Sequence, residues 1–361
     1  MNTIPIIDIS SLGKLSESGG KSSSGGVTQN DHVKNVAKQI ADASKTFGFF
    51  AVTNHGVDPQ IITSAWDAST DFFDMNMSIK KSVPMSNDYP YGYESNEALG
   101  TERSASGADA TTNSSDSKET FSIGPVDTSK SSMPSRKFPT NASKKFEPAL
   151  TQYFSACENL ARVLFRGLAL GLQLEDESWF LREGCFDDGH QCALRILNYP
   201  KLGYQEGSVK KVHIRAGAHT DYGAMTILKS GGPGLQLQLN REKSVDDNES
   251  WIDVPHLSDA FIINLGDLMQ RWTNDRWRST LHRVIAVPDD GNNAGENNNG
   301  HRVFESERRQ SIAFFVNMNG NATIVPFDSC VDEDHSSQYD AIKASDHLIQ
   351  RHAQSMGRKT S

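Results

Sequence analysis

Between residues 194 and 316 the sequence breaks into short apolar runs punctuated by glycine and proline. Residues 194–199 stop at Pro200, 218–228 form a second run, and 234–239 alternate with period 2. Residues 251–254, 260–267 and 309–316 add three more. Short strands at close spacing with Gly turns fit an antiparallel sandwich or barrel. Ahead of them, residues 146–172 carry apolar side chains at helical spacing, a helix supporting that core.

The first part of the chain is mixed. Residues 4–9 read as a strand stopped by Ser10-Ser11, and 33–46 as a helix. Residues 47–57 read as a strand closed by the turn Asn54-His55-Gly56, with His55 a turn residue rather than a ligand. Asp58-Pro59 opens another helix, 89–93 form an aromatic turn, and 118–123 restore strand character. Residues 16–26, 100–117 and 289–300 are rich in Ser, Gly or Asn and cannot bury enough apolar area to order themselves, so they read as insertions. No repeat and no clear break divides the chain. Residues 1–145 are expected to form an N-terminal helical and β region, packed as one unit with a core of 146–361.

A net charge of −9 argues against nucleic acid or an anionic membrane surface as partner, since both are bound through excess Lys and Arg. The 361 residues contain no apolar run of about 18, and the N-terminus lacks the pattern of a signal peptide. Cys157, Cys185, Cys192 and Cys330 are sparse and form no C-x-x-C. A cytoplasmic, monomeric protein with free buried thiols is expected.

The chemistry starts at His219-Thr220-Asp221. On a strand, residues two apart share a face, so His219 and Asp221 would point together while Thr220 points away. This is either half a metal site or an ordinary polar pair at a strand end. His282, leading the apolar run 284–287, is the candidate third ligand. Two His and a carboxylate cap one face of an octahedral ion and leave three positions for small ligands, which suits Fe(II) and oxygen chemistry. The same set also serves hydrolytic zinc. Arg309 and Ser311 share a face by the same alternation and could hold a carboxylate by paired hydrogen bonds. Alone, that pair would suit a surface Arg on a β-edge.

Taken together, these motifs resemble the Fe(II)/2-oxoglutarate-dependent dioxygenases, in particular the isopenicillin-N-synthase-like branch. Ile4-Pro5-Ile6-Ile7-Asp8 and Gly48-Phe49-Phe50 with Asn54-His55-Gly56-Val57 are similar to its N-terminal half, and Lys118-Glu119-Thr120-Phe121 is similar to a segment that lines its site. Asn264-x-Gly266-Asp267, Trp272-Thr273-Asn274 and Ser279-Thr280-x-His282-Arg283-Val284 are similar to its C-terminal half. The segment from His282 to Arg309 is longer than is usual there, and Leu197 stands where plant members often carry Asn.

The resemblance implies a mostly β protein with flanking helices, built on a distorted double-stranded β-helix (jelly roll). It implies His219, Asp221 and His282 as Fe(II) ligands, with Arg309, Ser311 and Tyr199 binding 2-oxoglutarate. O2 would be the oxidant, and ascorbate is a candidate reductant. Oxidative decarboxylation to succinate and CO2 would be coupled to hydroxylation, desaturation or ring closure at a C–H bond of a small molecule. Asp221 argues against a halogenase, which needs that position open. Candidate substrate-lining residues are Tyr93, Phe121, Ser122, Arg195, His213, Arg215 and Phe314, and the basic groups at Lys211, His213 and Arg215 hint at an acidic, amino-acid-derived substrate. The alternatives are a 2-oxoglutarate-independent oxidase of the same fold, a noncatalytic metal-containing binding protein, and a zinc hydrolase.

Overall fold

The structure is a computed structural model that describes residues 3–17, 27–86, 88–95, 118–205, 213–240, 242–287, 295–296 and 302–355. The expected insertion at 100–117, most of those at 16–26 and 289–300, and Lys211 lie outside these residues.

The chain opens with β1 (Ile6–Asp8) and α1 (Ser10–Glu17). The strand stops before Ser10-Ser11 as expected, and these serines also start a helix, where Oδ1 of Asp8 accepts the Ser10 amide at 2.9 Å. Leu12 of this helix is fully buried. Next come α2 (Val27–Thr46), β2 (Phe49–Thr53), α3 (Pro59–Phe73), α4 (Met77–Lys80), β3 (Gly92–Ser95) and β4 (Glu119–Ile123). Asp58 caps α3 by accepting the Gln60 amide, with Pro59 in the first turn, where its missing N–H costs nothing. The long helix α5 (Phe146–Gly171) follows.

The β-rich part contains β5 (Ala193–Tyr199), β6 (Leu202–Gln205), β7 (Ile214–His219), β8 (Met225–Ser230), β9 (Leu235–Gln238), β10 (Trp251–Asp253) and β11 (Phe261–Leu265). After α6 (Asp267–Trp272) come β12 (Leu281–Ile285), β13 (Gly295–Glu296), β14 (Arg302–Ser306), β15 (Arg309–Val316), β16 (Thr323–Ile324), β17 (Ile342–Lys343) and α7 (Ala344–Ser355).

Eight strands form one sheet in the order β1-β2-β11-β8-β15-β5-β4-β3, and four form the other, β10-β9-β12-β7. Strands from residues before and after 146 share the large sheet. Two apolar clusters follow from strand alternation. One lies between the large sheet and helices α2, α3 and α5, and contains Ile196, Phe314 and Val316. The other lies between the two sheets and contains Phe49, Leu197, Tyr199, Leu237, Val284 and Ala313. Even-numbered residues of β15 therefore face the helices and odd-numbered ones face the interior of the jelly roll.

Candidate active site

His219 ends β7 and pairs directly with His282 on β12. Their rings lie 4.3 Å apart between centroids. Asp221 is not on the strand: it sits in the turn joining β7 to β8, so alternation on one strand does not bring it to His219. The turn is fixed from below by the segment after β11. The amides of Asp267 and Gly266 donate to the carbonyls of Asp221 (2.8 Å) and Ala224 (3.0 Å), and that of Leu268 to Gly223 (3.1 Å). At Gly223 a Cβ would lie only 2.8 Å from the Val316 carbonyl, so the turn can pack against β15 only with glycine there.

Ligating atoms of His219, Asp221 and His282 all lie within 4.8 Å of one another. Nδ1 of His219 is 2.7 Å from the Gly217 carbonyl, and Nδ1 of His282 is 3.0 Å from that of Thr280. Such contacts place the ring proton on Nδ1 and leave the Nε2 lone pair for a metal. Oδ2 of Asp221 accepts from the Thr226 hydroxyl and from Nδ2 of Asn264. That leaves Oδ1, which is 3.9 Å from Nε2 of His219 and 4.0 Å from Nε2 of His282. Burial and the neighbouring His282 push the His219 imidazole down to about 4, so it is a neutral donor at ordinary pH. Burial would raise Asp221, but the two imidazoles and the bonds from Thr226 and Asn264 outweigh it and hold the carboxyl below its usual value. Two imidazoles and one carboxylate, each with its second polar atom already engaged, fit Fe(II).

A cavity of about 90 Å³ opens over this group between the two sheets. Arg309, Ser311, Ala313 and Phe315 of β15 line it, as do Arg195, Leu197 and Tyr199 of β5. Arg309 is 4% exposed. Its Nη2 donates to Ser230 Oγ at 2.8 Å and its Nε to the Pro233 carbonyl at 3.1 Å, and its guanidinium lies 5.3 Å from the Tyr199 ring. Among the described residues no carboxylate pairs with it.

The expected substrate-lining residues divide. Arg195 lines the cavity, and its Nε donates to Ser122 Oγ at 3.0 Å. Phe121 and Phe314 do not line it; they face the helices, with Phe314 against Phe154 (4.9 Å) and Phe121 against Phe72 (5.0 Å). Phe314 cannot share a face with Arg309, five residues away on one strand. Tyr93 is also buried on the helical side, its hydroxyl donating to Glu119 at 2.7 Å. Arg215 points away too. The pairs His282–His219 and Val284–Ala216 enclose one residue on β12 but two on β7, a bulge that turns both His219 and Ala216 inward. Nη2 of Arg215 instead holds the Glu307 and Pro200 carbonyls at 2.7 and 3.1 Å. His213, just before β7, accepts the Ala286 amide through its carbonyl and does not line the cavity.

Among the further lining residues are Phe315, which the sequence-based expectation omitted, and Lys118, whose segment it placed at the site without singling out the lysine. Phe315 shares the parity of Arg309, and Lys118 that of Ser122, so alternation contained both. Lys118 is buried beside the site, where its charge disfavours protonation of His219.

Residues 4–142 match the non-haem dioxygenase N-terminal family described from morphine synthesis, and residues 191–318 match the 2OG-Fe(II) oxygenase superfamily. The 2-oxoglutarate-Fe(II) type oxidoreductase ppzC of Metarhizium rileyi is 31% identical over 345 residues, 88% of this chain and 82% of that protein. The chain belongs to the 2OG-Fe(II) oxygenase superfamily. Homoarginine-6-hydroxylase 2-ODD-C23 of Glycine max is 28% identical over 91% of this chain and 89% of its own. A full-length Neurospora crassa protein crystallised in complex with alpha-KG superposes with a TM-score of 0.75 at 26% identity, covering 97% of this chain and 96% of that one. This oxygenase is therefore an Fe(II)- and 2-oxoglutarate-dependent enzyme built on a jelly roll. No helix among its described residues is long and apolar enough to cross a membrane.

Proposed function

We propose that His219, Asp221 and His282 hold Fe(II), that Arg309 with Ser311 and Tyr199 holds the distal carboxylate of 2-oxoglutarate, and that the prime substrate is a small carboxylic acid of the amino-acid type. The observation that carries this reading is Arg309: a buried guanidinium with no acidic partner among the described residues calls for an anionic ligand. When bound, Fe(II) and 2-oxoglutarate would supply the electrons that activate O2, the oxidant, with succinate and CO2 released.

The chain's own groups bind, orient and exclude water. Arg309 presents its fork to a carboxylate, a geometry that fixes the cosubstrate's far end. Leu197, Leu228, Leu235 and Ala313 form apolar walls beside it, which strengthen that ion pair by keeping water out. Phe49 packs edge-on against His282 at 5.3 Å and restrains its ring. Beyond the cosubstrate end, Arg195 and Lys118 give the cavity two further cationic groups. These two cations support a substrate that bears a carboxylate; the relative named as a homoarginine hydroxylase supports the amino-acid type, although its own substrate is a basic one.

The experiment is succinate release measured against a panel of amino acids, their decarboxylated analogues and thymine, the ligand of the Neurospora neighbour. Turnover restricted to carboxylates, with Arg195→Ala raising KM and leaving the 2-oxoglutarate Kd unchanged, is the expected result. Equal turnover of neutral analogues would overturn the substrate assignment.

A further inference from the structure

Helix α7, outside the jelly roll, reaches the metal-site turn chiefly through Arg351. Nε of Arg351 lies 2.8 Å from Oδ2 of Asp267, with the two side chains 23% and 17% exposed. Its Nη2 donates to Thr220 Oγ1 at 3.1 Å, its Nη1 donates to Gln354 at 3.0 Å, and its guanidinium sits 4.9 Å from the Tyr222 ring. His352 meets the same ring edge-on at 5.2 Å. Thr220 lies between His219 and Asp221, and Tyr222 follows Asp221 directly. The helix therefore grips the turn on both sides of the carboxylate ligand.

Asp267 extends that grip to the other ligand strand. Its Oδ1 accepts the Ser279 hydroxyl at 2.6 Å, and its amide donates to the Asp221 carbonyl at 2.8 Å. Ser279 precedes Thr280, whose carbonyl orients the His282 ring. Asp267 thus ties the Asp221 turn to the segment entering β12, and Arg351 supplies the countercharge beside its largely buried carboxylate.

We propose that Arg351 is a positioning residue that sets metal affinity, acting through Asp267, Thr220 and Tyr222 to hold the three ligands in their binding arrangement before a metal arrives. The proposal rests on the assignment of His219, Asp221 and His282 as the metal ligands. Without Arg351 the turn keeps its sequence but loses its outer clamp, and ordering the ligands is then charged against metal binding.

The test is Mn(II) titration of the full chain, following free Mn(II) by electron paramagnetic resonance, with thermal unfolding measured on the same samples. Arg351→Met is expected to weaken Mn(II) binding about 10–100-fold, the range for groups that orient ligands from behind. Arg351→Lys keeps the charge toward Asp267 but not the second nitrogen toward Thr220, and is expected to recover part of the loss. The double variant Arg351→Met/Asp267→Asn should bind no more weakly than the worse single one, because both break the same link. A lower Tm with Mn(II) affinity unchanged would make Arg351 a mere helix anchor and overturn the proposal. If Arg351→Met does not fold, Thr220→Val removes only the hydroxyl, and unaltered affinity there overturns it equally. His219→Ala separates the two readings: retained Mn(II) binding in that variant refutes the ligand assignment, whereas lost binding beside wild-type affinity in the Arg351 variants refutes the clamp alone.

Discussion

Nδ2 of Asn264 donates to Oδ2 of Asp221 at 2.7 Å and so decides which carboxylate oxygen faces the two histidines. The Thr226 hydroxyl binds the same oxygen. With both donors in place, Asp221 can offer only Oδ1 and must bind a metal through one oxygen. Asn264→Ala frees the carboxylate to rotate and is expected to weaken Fe(II) or Mn(II) binding about tenfold or more. Calorimetric titration under anaerobic conditions measures it; an unchanged affinity would mean that the orientation of Asp221 is set elsewhere.

Adjacent phenylalanines on β15 have opposite duties. Phe314 is fully buried against Phe154 and the helices, whereas Phe315 lines the cavity with the Arg195 guanidinium 5.8 Å from its ring. Phe314→Ala is expected to cost about 3–5 kcal/mol of stability. In conditions where that variant stays folded, its KM for the prime substrate should match wild type. Phe315→Ala should show the reverse: a modest change in denaturant midpoint and a raised KM. Exchange of these two phenotypes would contradict the strand parity.

The same parity shows what the sequence could reveal. His219, Asp221 and His282 do converge, although not through the strand alternation that singled out His219 and Asp221, and Arg309 and Ser311 share a face because nothing interrupts β15. Expecting Phe314 rather than Phe315, and singling out Phe121 rather than Lys118 within one site-lining segment, are errors of phase in which aromatic character outweighs alternation. Arg215 is beyond this kind of reading, since the β7 bulge that turns it away depends on pairing with β12. Asp221 reaches the site by a turn rather than a strand for a similarly distant reason, the backbone bonds from residues 266–268. Arg351 contacts Thr220 across 131 positions of sequence, a relationship that no local pattern encodes.

Acid stability offers a check on how α5 is fastened to the β-core. Hydrogen bonding to His190, with added help from Arg162, outweighs burial and holds the Glu158 carboxyl down to about 2 from its ordinary 4.5. Arg162 Nη2 donates to it at 2.8 Å, and Nε2 of His190 is 3.4 Å away. A carboxyl depressed in the folded state adds stability that is fully present above its unfolded value and is lost as pH falls toward the folded one. Glu158→Gln should therefore cost about 1–2 kcal/mol at pH 7, and that penalty should shrink progressively below about pH 4.5. Urea unfolding of both proteins at pH 7, 5 and 3.5 measures it, and a penalty independent of pH would show that the charge contributes nothing.

The central claim is that Arg309 anchors 2-oxoglutarate above an iron held by His219, Asp221 and His282. Anaerobic titration of the Fe(II)-loaded protein with 2-oxoglutarate, followed through the visible charge-transfer band, tests it most directly. A saturable band is expected in the wild type, with the apparent Kd raised at least about tenfold in Arg309→Lys, which keeps the charge but loses the fork. In Arg309→Ala the band should be absent at the same concentrations. Iron bound without a band, or a band unaltered by both substitutions, would contradict the account.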